Sequence, residues 1–294
     1  MSDVLISGFA DEIDADFDRQ LVKLRELGMG YLSLRGADGK NIADYTLKEA
    51  EESLLPRLKA AHIGVSSLGS PIGKIEWDDE AGFARQLGQL DTLCQIARRL
   101  DCRYIRVFSF YVPAECADEC LSAVTEKVSR FAAVAEQYGV TLLLENEKGV
   151  FGDTAARCRA LLDRVGSPSC AAVFDFANFV QCCENVSVCW EMLKKNVRYI
   201  HIKDAVSTSE KNVLCGTGEG KIRKILRQAV KEEGYRGFLT LEPHLAVFDG
   251  LNALERGDGG AVIGDNGVKD GAEGFALQYH TLCTILREEQ ITYG

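Results

Sequence analysis

The chain has 294 residues, of which 46% are apolar and 27% charged, the balance of a folded globular protein and not of a disordered, collagenous or coiled-coil one. Its 34 Lys and Arg against 44 Asp and Glu give a formal net charge of −10, so the surface has no global attraction for nucleic-acid backbones or anionic lipid. The length fits two ordinary domains or one large α/β barrel.

Met1-Ser2-Asp3 carries no basic segment, and the apolar run that follows is broken by Ser7 and Gly8, unlike a secretion signal. No apolar run approaches the roughly 20 residues of a membrane span. Eleven cysteines are present, none in a C-x-x-C pair. Their spacing matches no common zinc pattern. Reduced thiols packed as small hydrophobes, in a cytoplasmic protein, are the expectation.

Apolar runs of strand length recur in chain order at Val4–Phe9, Gly30–Arg35, Ile63–Leu68, Tyr104–Phe110, Val140–Glu145, Ala171–Asp175, Tyr199–Ile202 and Phe238–Glu242. The stretches between them read as helices. Asp14 to Leu27 sets Phe17, Leu21, Leu24 and Leu27 on one face, with Gly28 at the C-cap position. Thr46 and Glu49 have capping-box spacing, and Pro56 should kink or split the helix they open. Glu80–Leu100, Ala117–Tyr138 and Thr154–Val165 are amphipathic, the last with Asp153 as its expected N-cap. Val186–Asn196, Ile222–Glu233 and Glu273–Glu289 complete the set.

Eight nearly continuous apolar strands alternating with eight helices predict a single-domain α/β fold, the (β/α)8 TIM barrel with a parallel eight-stranded barrel. A doubly wound sheet is the rival, but the first strand is followed by Phe9-Ala10-Asp11-Glu12 and not by a glycine-rich dinucleotide fingerprint. The segment from Phe248 to Gly274 carries eight glycines after the last strand. A substrate-covering or interface loop is expected there, on the face where barrels keep their sites.

Four consecutive strands end in ionisable groups: Glu145, Asp175, His201 with Lys203, and Glu242 with His244. In a barrel these ends converge. Three carboxylates in one buried mouth repel, and one histidine does not balance them. A divalent cation does. Three oxygen ligands and one imidazole suit Mn2+ or Mg2+, with Co2+ or Zn2+ as alternatives.

These residues, in this order and with the H-x-K-D of His201–Asp204, resemble the xylose isomerase-like TIM-barrel superfamily of sugar phosphate isomerases and epimerases. The resemblance runs from Gly8-Phe-Ala-Asp-Glu12 to Leu241-Glu-Pro-His244. It implies one divalent metal held by Glu145, Asp175, His201 and Glu242, with Glu145 and Glu242 as acid and base. The implied activity is isomerisation or epimerisation of a sugar or sugar phosphate by proton abstraction through an enediolate. The same chemistry could expel a β-hydroxyl, which makes a lyase acting on a keto-inositol or 3-keto-sugar the rival enzyme. A non-catalytic sugar-binding barrel is the rival outside enzymes. The resemblance also implies a homodimer or homotetramer.

Substrate contacts are expected from Lys203, His244, Asn178, Arg106, Arg35, Lys148 and Glu12. Asn178 stands where many relatives have a histidine, and Ser207 where the ketose epimerases have an arginine. Both departures argue against a simple free-ketose 3-epimerase. With four histidines in all, a trinuclear zinc site for DNA repair is not expected. Gly216-Thr-Gly218-Glu-Gly220 reads as a tight turn first and an anion site second.

Overall fold

The computed structural model describes residues 2–251 and 259–294. All eight apolar runs form strands: β1 (Leu5–Gly8), β2 (Tyr31–Leu34), β3 (Gly64–Gly69), β4 (Tyr104–Val107), β5 (Thr141–Glu145), β6 (Cys170–Asp175), β7 (Val197–Ile202) and β8 (Phe238–Leu241). They hydrogen-bond in the order β1-β8-β7-β6-β5-β4-β3-β2, every pair parallel. A parallel bridge from Phe9 to Ser33 brings β1 beside β2, so the sheet nearly closes into a barrel. This is the single-domain TIM barrel, and the doubly wound alternative falls.

The helices follow the apolar periodicity, with local differences that have physical causes. The first helix runs Phe17–Glu26, later than expected, because Asp16 caps it by accepting the Arg19 N–H. Thr46 and Glu49 form the full capping box. The helix then widens into a π segment over Ala50–Leu54 and resumes as Leu55–Ala61. Pro56 lacks an N–H and its ring crowds the preceding turn, so the widened turn is how the chain absorbs it. Asp153 does not cap the helix Ala155–Val165. Thr154 does, accepting from Arg157, while Asp153 pairs with the Arg157 guanidinium at 3.0 Å. The helix Phe176–Gln181 was not expected, because its N-cap, Asp175, also ends an apolar strand.

Two short antiparallel hairpins rise from the rim, Gly36–Ala37 with Lys40–Asn41, and Asp204–Val206 with Lys211–Val213. The described part of the long loop after β8 is tied to the second hairpin. Asn212 bridges Ile263, and the Gly264 N–H donates to the Asn212 carbonyl. The rest of the expected covering loop, residues 252–258, lies outside the described residues. Among the described residues no helix is long and apolar enough to cross a membrane. All eleven cysteines are unpaired thiols, and Cys183 alone is exposed.

The strand period of two sorts the side chains into layers. Outward residues such as Ile200, Ile202, Leu142 and Leu144 pack under the helices in the main core. Inward residues Leu143, Ala171, Val173 and Tyr199 form a separate small core inside the barrel, with Tyr104 and Phe238 packed against it. Above it lies a layer of buried hydroxyls. The Tyr199 hydroxyl meets Thr240 Oγ1 at 2.6 Å, Ser66 Oγ at 2.7 Å and Ser67 Oγ at 3.1 Å. Ser66 pairs with Ser7, and Ser67 with Ser33, each at 2.6 Å. Five strands are thus joined under the mouth, at the level just below His201. Tyr199→Phe leaves the buried Thr240 hydroxyl without its partner. It is expected to cost about 1–3 kcal/mol in urea unfolding, well above Tyr104→Phe, whose hydroxyl is outside this network.

Candidate metal centre and active site

The inward positions one step higher along the strands are charged. Glu145 ends β5, Asp175 ends β6, His201 lies in β7 and Glu242 follows β8. The register aligns Asp175 with His201, and His201 with Thr240 just below Glu242. One donor atom from each of the four lies within 4.8 Å of all the others, and all four residues are buried. His201 Nδ1 stands 2.7 Å from Glu145 Oε1, 3.3 Å from Glu242 Oε2 and 3.9 Å from Asp175 Oδ2. Among the described residues, Glu145 Oε2, Asp175 Oδ2 and Glu242 Oε2 accept no hydrogen bond. Three orphaned carboxylate oxygens beside an imidazole nitrogen, shielded from water, are what a hard divalent cation requires. The residues present fit such a cation.

Cations already in the mouth change the charge argument. Arg106 Nη1 lies 3.3 Å from Glu145 Oε2 and 3.7 Å from Glu242 Oε1. Arg35 donates to Asp11 at 2.7 Å and Glu242 at 2.9 Å, and reaches Glu12 at 3.4 Å. Lys203 Nζ is 3.7 Å from Asp175 and 3.9 Å from Glu242. The expectation that only a metal could balance the carboxylates is therefore corrected. Asp11, Glu12, Glu145, Asp175 and Glu242 face Arg35, Arg106 and Lys203, which leaves an excess of two negative charges. One divalent cation with a neutral His201 cancels that excess.

Without a metal, protons do the balancing. Burial raises Asp175 to about 7 against the opposing pull of Lys203, and the neighbouring Glu242 and Glu145 add to the rise. Burial raises Glu12 to about 8 against the opposing pull of Arg35. Burial would lower His201, but Glu145 and Glu242 hold it up at about 9. Glu145 and Glu242 resist their own burial and stay below the usual carboxylate range, Glu145 through His201 and Arg106, Glu242 chiefly through Lys203 and His201. Burial and Lys203 keep His244 neutral.

The other expected contacts divide. Arg35, Arg106, Lys203, Glu12 and His244 are buried in the mouth with Glu145, Asp175, His201 and Glu242. The two arginines pair with acids there instead of standing free for an anion. Both flank the Phe9 ring, at 4.5 and 5.1 Å, and His201 meets the same ring edge-on. Asn178 is turned to the backbone: its side-chain amide donates to the Asn146 carbonyl and its N–H to Asp175 Oδ1. Lys148 is not brought into the cluster. It lies half-exposed on the rim and pairs with Glu210.

Sequence reasoning missed three groups. Asn146 exchanges two hydrogen bonds of 3.0 Å with the Asp175 backbone, locking the ends of β5 and β6 together. Asp11 orients Arg35. Asp204 answers the glycine-rich turn, accepting the N–H groups of Ala205, Gly216, Gly218 and Gly220 at 2.8 to 3.0 Å. The anion in that turn is the chain's own carboxylate. A Cβ on Gly218 would stand 2.5 Å from Asp204 Oδ1, so only glycine permits the approach. The available signal was the last residue of H-x-K-D. Beside the charged cluster a cavity of about 400 Å3 is lined by Asp11, Arg35, Lys74, Arg106 and Phe108, a volume suited to a small polar molecule.

The chain belongs to the xylose isomerase-like TIM barrel family, which it matches over residues 21–257. It is 27% identical over 135 residues to a probable L-ribulose-5-phosphate 3-epimerase, UlaE, of Mycoplasma pneumoniae, a match spanning 46% of this chain and 44% of that protein. The chain thus aligns with less than half of that relative's length. Among solved structures it resembles an L-ribulose 3-epimerase, with a TM-score of 0.73 and 21% identity over 99% of this chain and 96% of that one. It also resembles the IolI protein with a bound zinc atom, with a TM-score of 0.71 and 16% identity over 98% and 99%. At these identities the structural likeness shows the shared fold.

Metal uptake must expel the protons that now balance the site. At about pH 8 a divalent cation is expected to release about one proton, from His201, and near pH 6.5 about two, as Asp175 adds its own. Affinity then rises with pH and levels off above about 9. Calorimetric titration in buffers of different protonation enthalpy measures the proton count, and an affinity independent of pH would contradict it.

Proposed function

We propose that the protein is a divalent-metal-dependent epimerase or isomerase acting on a ketose, a ketose phosphate or a related sugar. The observation that carries this reading is the pairing of Glu145 and Glu242 across His201, within the four-residue donor set. Glu145, Asp175, His201 and Glu242 would hold the metal. Its mostly oxygen donors favour Mn2+, with Mg2+, Co2+ or Zn2+ as alternatives. When bound, such an ion supplies Lewis acidity, polarising a substrate carbonyl and stabilising negative charge on its oxygen.

The chain's own residues supply the proton transfers. Glu145 and Glu242 come from β5 and β8, separated by two strands, and Arg106 lies between them. Both are held ionised, as a base must be. Either, as the base, removes the proton from the carbon next to the carbonyl; in epimerisation the other gives the opposite face a proton it has first taken from solvent, and in isomerisation the base returns the proton it took to the neighbouring carbon. Lys203 is placed to donate to a substrate oxygen beside Asp175 and Glu242. Phe9 and Phe108 give the arginines a poorly solvated setting, in which their charges act strongly. The unpaired thiols support a reducing, cytoplasmic setting. The partial likeness to a ribulose-phosphate epimerase supports the sugar class.

The metal-loaded protein in D2O, offered a panel of ketoses and ketose phosphates, is expected to place deuterium on a carbon beside the carbonyl with the sugar's atoms otherwise conserved. Loss of water from the sugar would favour a dehydratase. Glu145→Gln and Glu242→Gln are each expected to lower the exchange rate by about 100-fold or more. Full exchange in both variants would remove the acid/base assignment. A chelator should abolish exchange, and added Mn2+ should restore it.

A further inference from the structure

We infer that His244 binds a substrate hydroxyl through Nδ1 and makes the site specific for a sugar bearing that hydroxyl close to Glu242. This rests on reading the barrel mouth as a sugar site. It assigns a recognition group that the acid/base scheme does not use.

His244 follows β8 and is 2% exposed, yet among the described residues neither ring nitrogen has a hydrogen-bond partner. Its backbone is left-handed, with φ at 46°. A non-glycine residue adopts that conformation at a cost, although histidine tolerates it better than most. Glu12 holds it there by accepting the His244 N–H at 2.8 Å. The fold thus maintains a strained residue and fastens its backbone, while leaving its polar ring atoms unused. Buried polar atoms are nearly always satisfied, so an orphaned imidazole calls for a ligand.

The surroundings select the kind of ligand. Nε2 lies 3.5 Å from Glu12 Oε1 and 3.6 Å from Glu242 Oε1. The Glu242 carboxylate on that side, held by Arg35 and Arg106, favours the tautomer with the proton on Nε2. Nδ1 is then a bare acceptor and requires a donor. Glu12, Glu242 and His244 lie close enough together to ligate a second cation. Arg35 opposes it, because its guanidinium already contacts both Glu12 Oε1 and Glu242 Oε1. With one divalent ion at the main site, the charges of the mouth are already balanced. A neutral donor remains, and a sugar hydroxyl is one. Phe248 lies against the imidazole at 5.5 Å and over Arg35 at 5.4 Å, which adds an apolar wall of the kind a sugar's C–H face packs on. A site built to pair a hydroxyl rejects the analogue lacking it far more strongly than an apolar pocket does.

The test uses the Mg2+-loaded full chain. With 15N-labelled histidine, the Nδ1 resonance of His244 is expected to move upfield when xylitol, a polyol that does not react, is added to saturation. In parallel, deuterium exchange is measured for L-ribulose and D-fructose against their monodeoxy analogues. The wild type should prefer the parent sugar over one analogue by at least 100-fold, and His244→Phe should reduce that ratio at least tenfold. His244→Asn, which accepts left-handed backbone, serves if the Phe variant does not fold. An unmoved Nδ1 signal with wild-type ratios in a folded variant overturns the proposal. A moved signal without exchange of any sugar supports His244 as a hydroxyl site and removes the epimerase reading. Exchange with ratios unaltered by the substitution leaves that reading standing and overturns the role of His244.

Discussion

Charge balance inside a buried mouth is the constraint on which the rest of this structure depends. Among the described residues, five carboxylates and three permanent cations occupy the top of the barrel, all but Asp11 with almost no contact with water. Desolvated charges are tolerated only when paired, and removal of one partner strands another. Arg35 spans Asp11, Glu12 and Glu242, and Arg106 spans Glu145 and Glu242. Glu242 is therefore engaged from several directions, by Arg35, Arg106, His201, Lys203 and His244. A network this connected fixes the positions of the groups that would do chemistry, because no member can move without exposing a neighbour's charge.

The scaffold below explains how such a network can be held. Alternate residues of β7 read Tyr199, His201 and Lys203, and those continuing β8 read Thr240, Glu242 and His244. Each strand therefore climbs from packed ring or hydroxyl to charged tip. The hydroxyl layer around Tyr199 ties five strands together directly under the charged layer. Asn146 and Asp204 stiffen the rim above it, each by pairing with backbone groups. Rigid support on both sides is the usual requirement for a site that must hold reacting groups within a fraction of an ångström.

Much of this was legible in the residues. Parallel strands covered by helices must be apolar nearly throughout, so the eight runs stood out, and their number favoured the barrel over a doubly wound sheet. Glu145, Asp175, His201 and Glu242 were legible because an ionisable residue at the end of an apolar strand conflicts with its surroundings unless it has a task. Asp11 and Asn146 were not. Each sits beside a more conspicuous acid, and a single polar residue after a strand gives no sign of its partner. Asp204 stood in the H-x-K-D pattern, but its role showed only once the glycine turn was seen to close around it. Lys148, like Lys203, was expected to touch substrate, but it lies on the rim because the β5 loop carries it outward to Glu210.

The sequence by itself determined the barrel, the strand ends that carry ionisable groups and the acidic and imidazole character of the candidate site, because these follow from periodicity and residue type along the chain. Only the tertiary structure decided how the charges are shared. Arg35 and Glu242 are 207 residues apart, and His244 and Glu12 are 232 apart. Whether an arginine faces a substrate or a neighbouring acid depends on which strands meet across the barrel axis, and local sequence carries no record of that. The nearly closed ring turned a chain that reads as needing one metal into a site with an excess of two negative charges, and it left the His244 ring without a hydrogen-bond partner among the described residues.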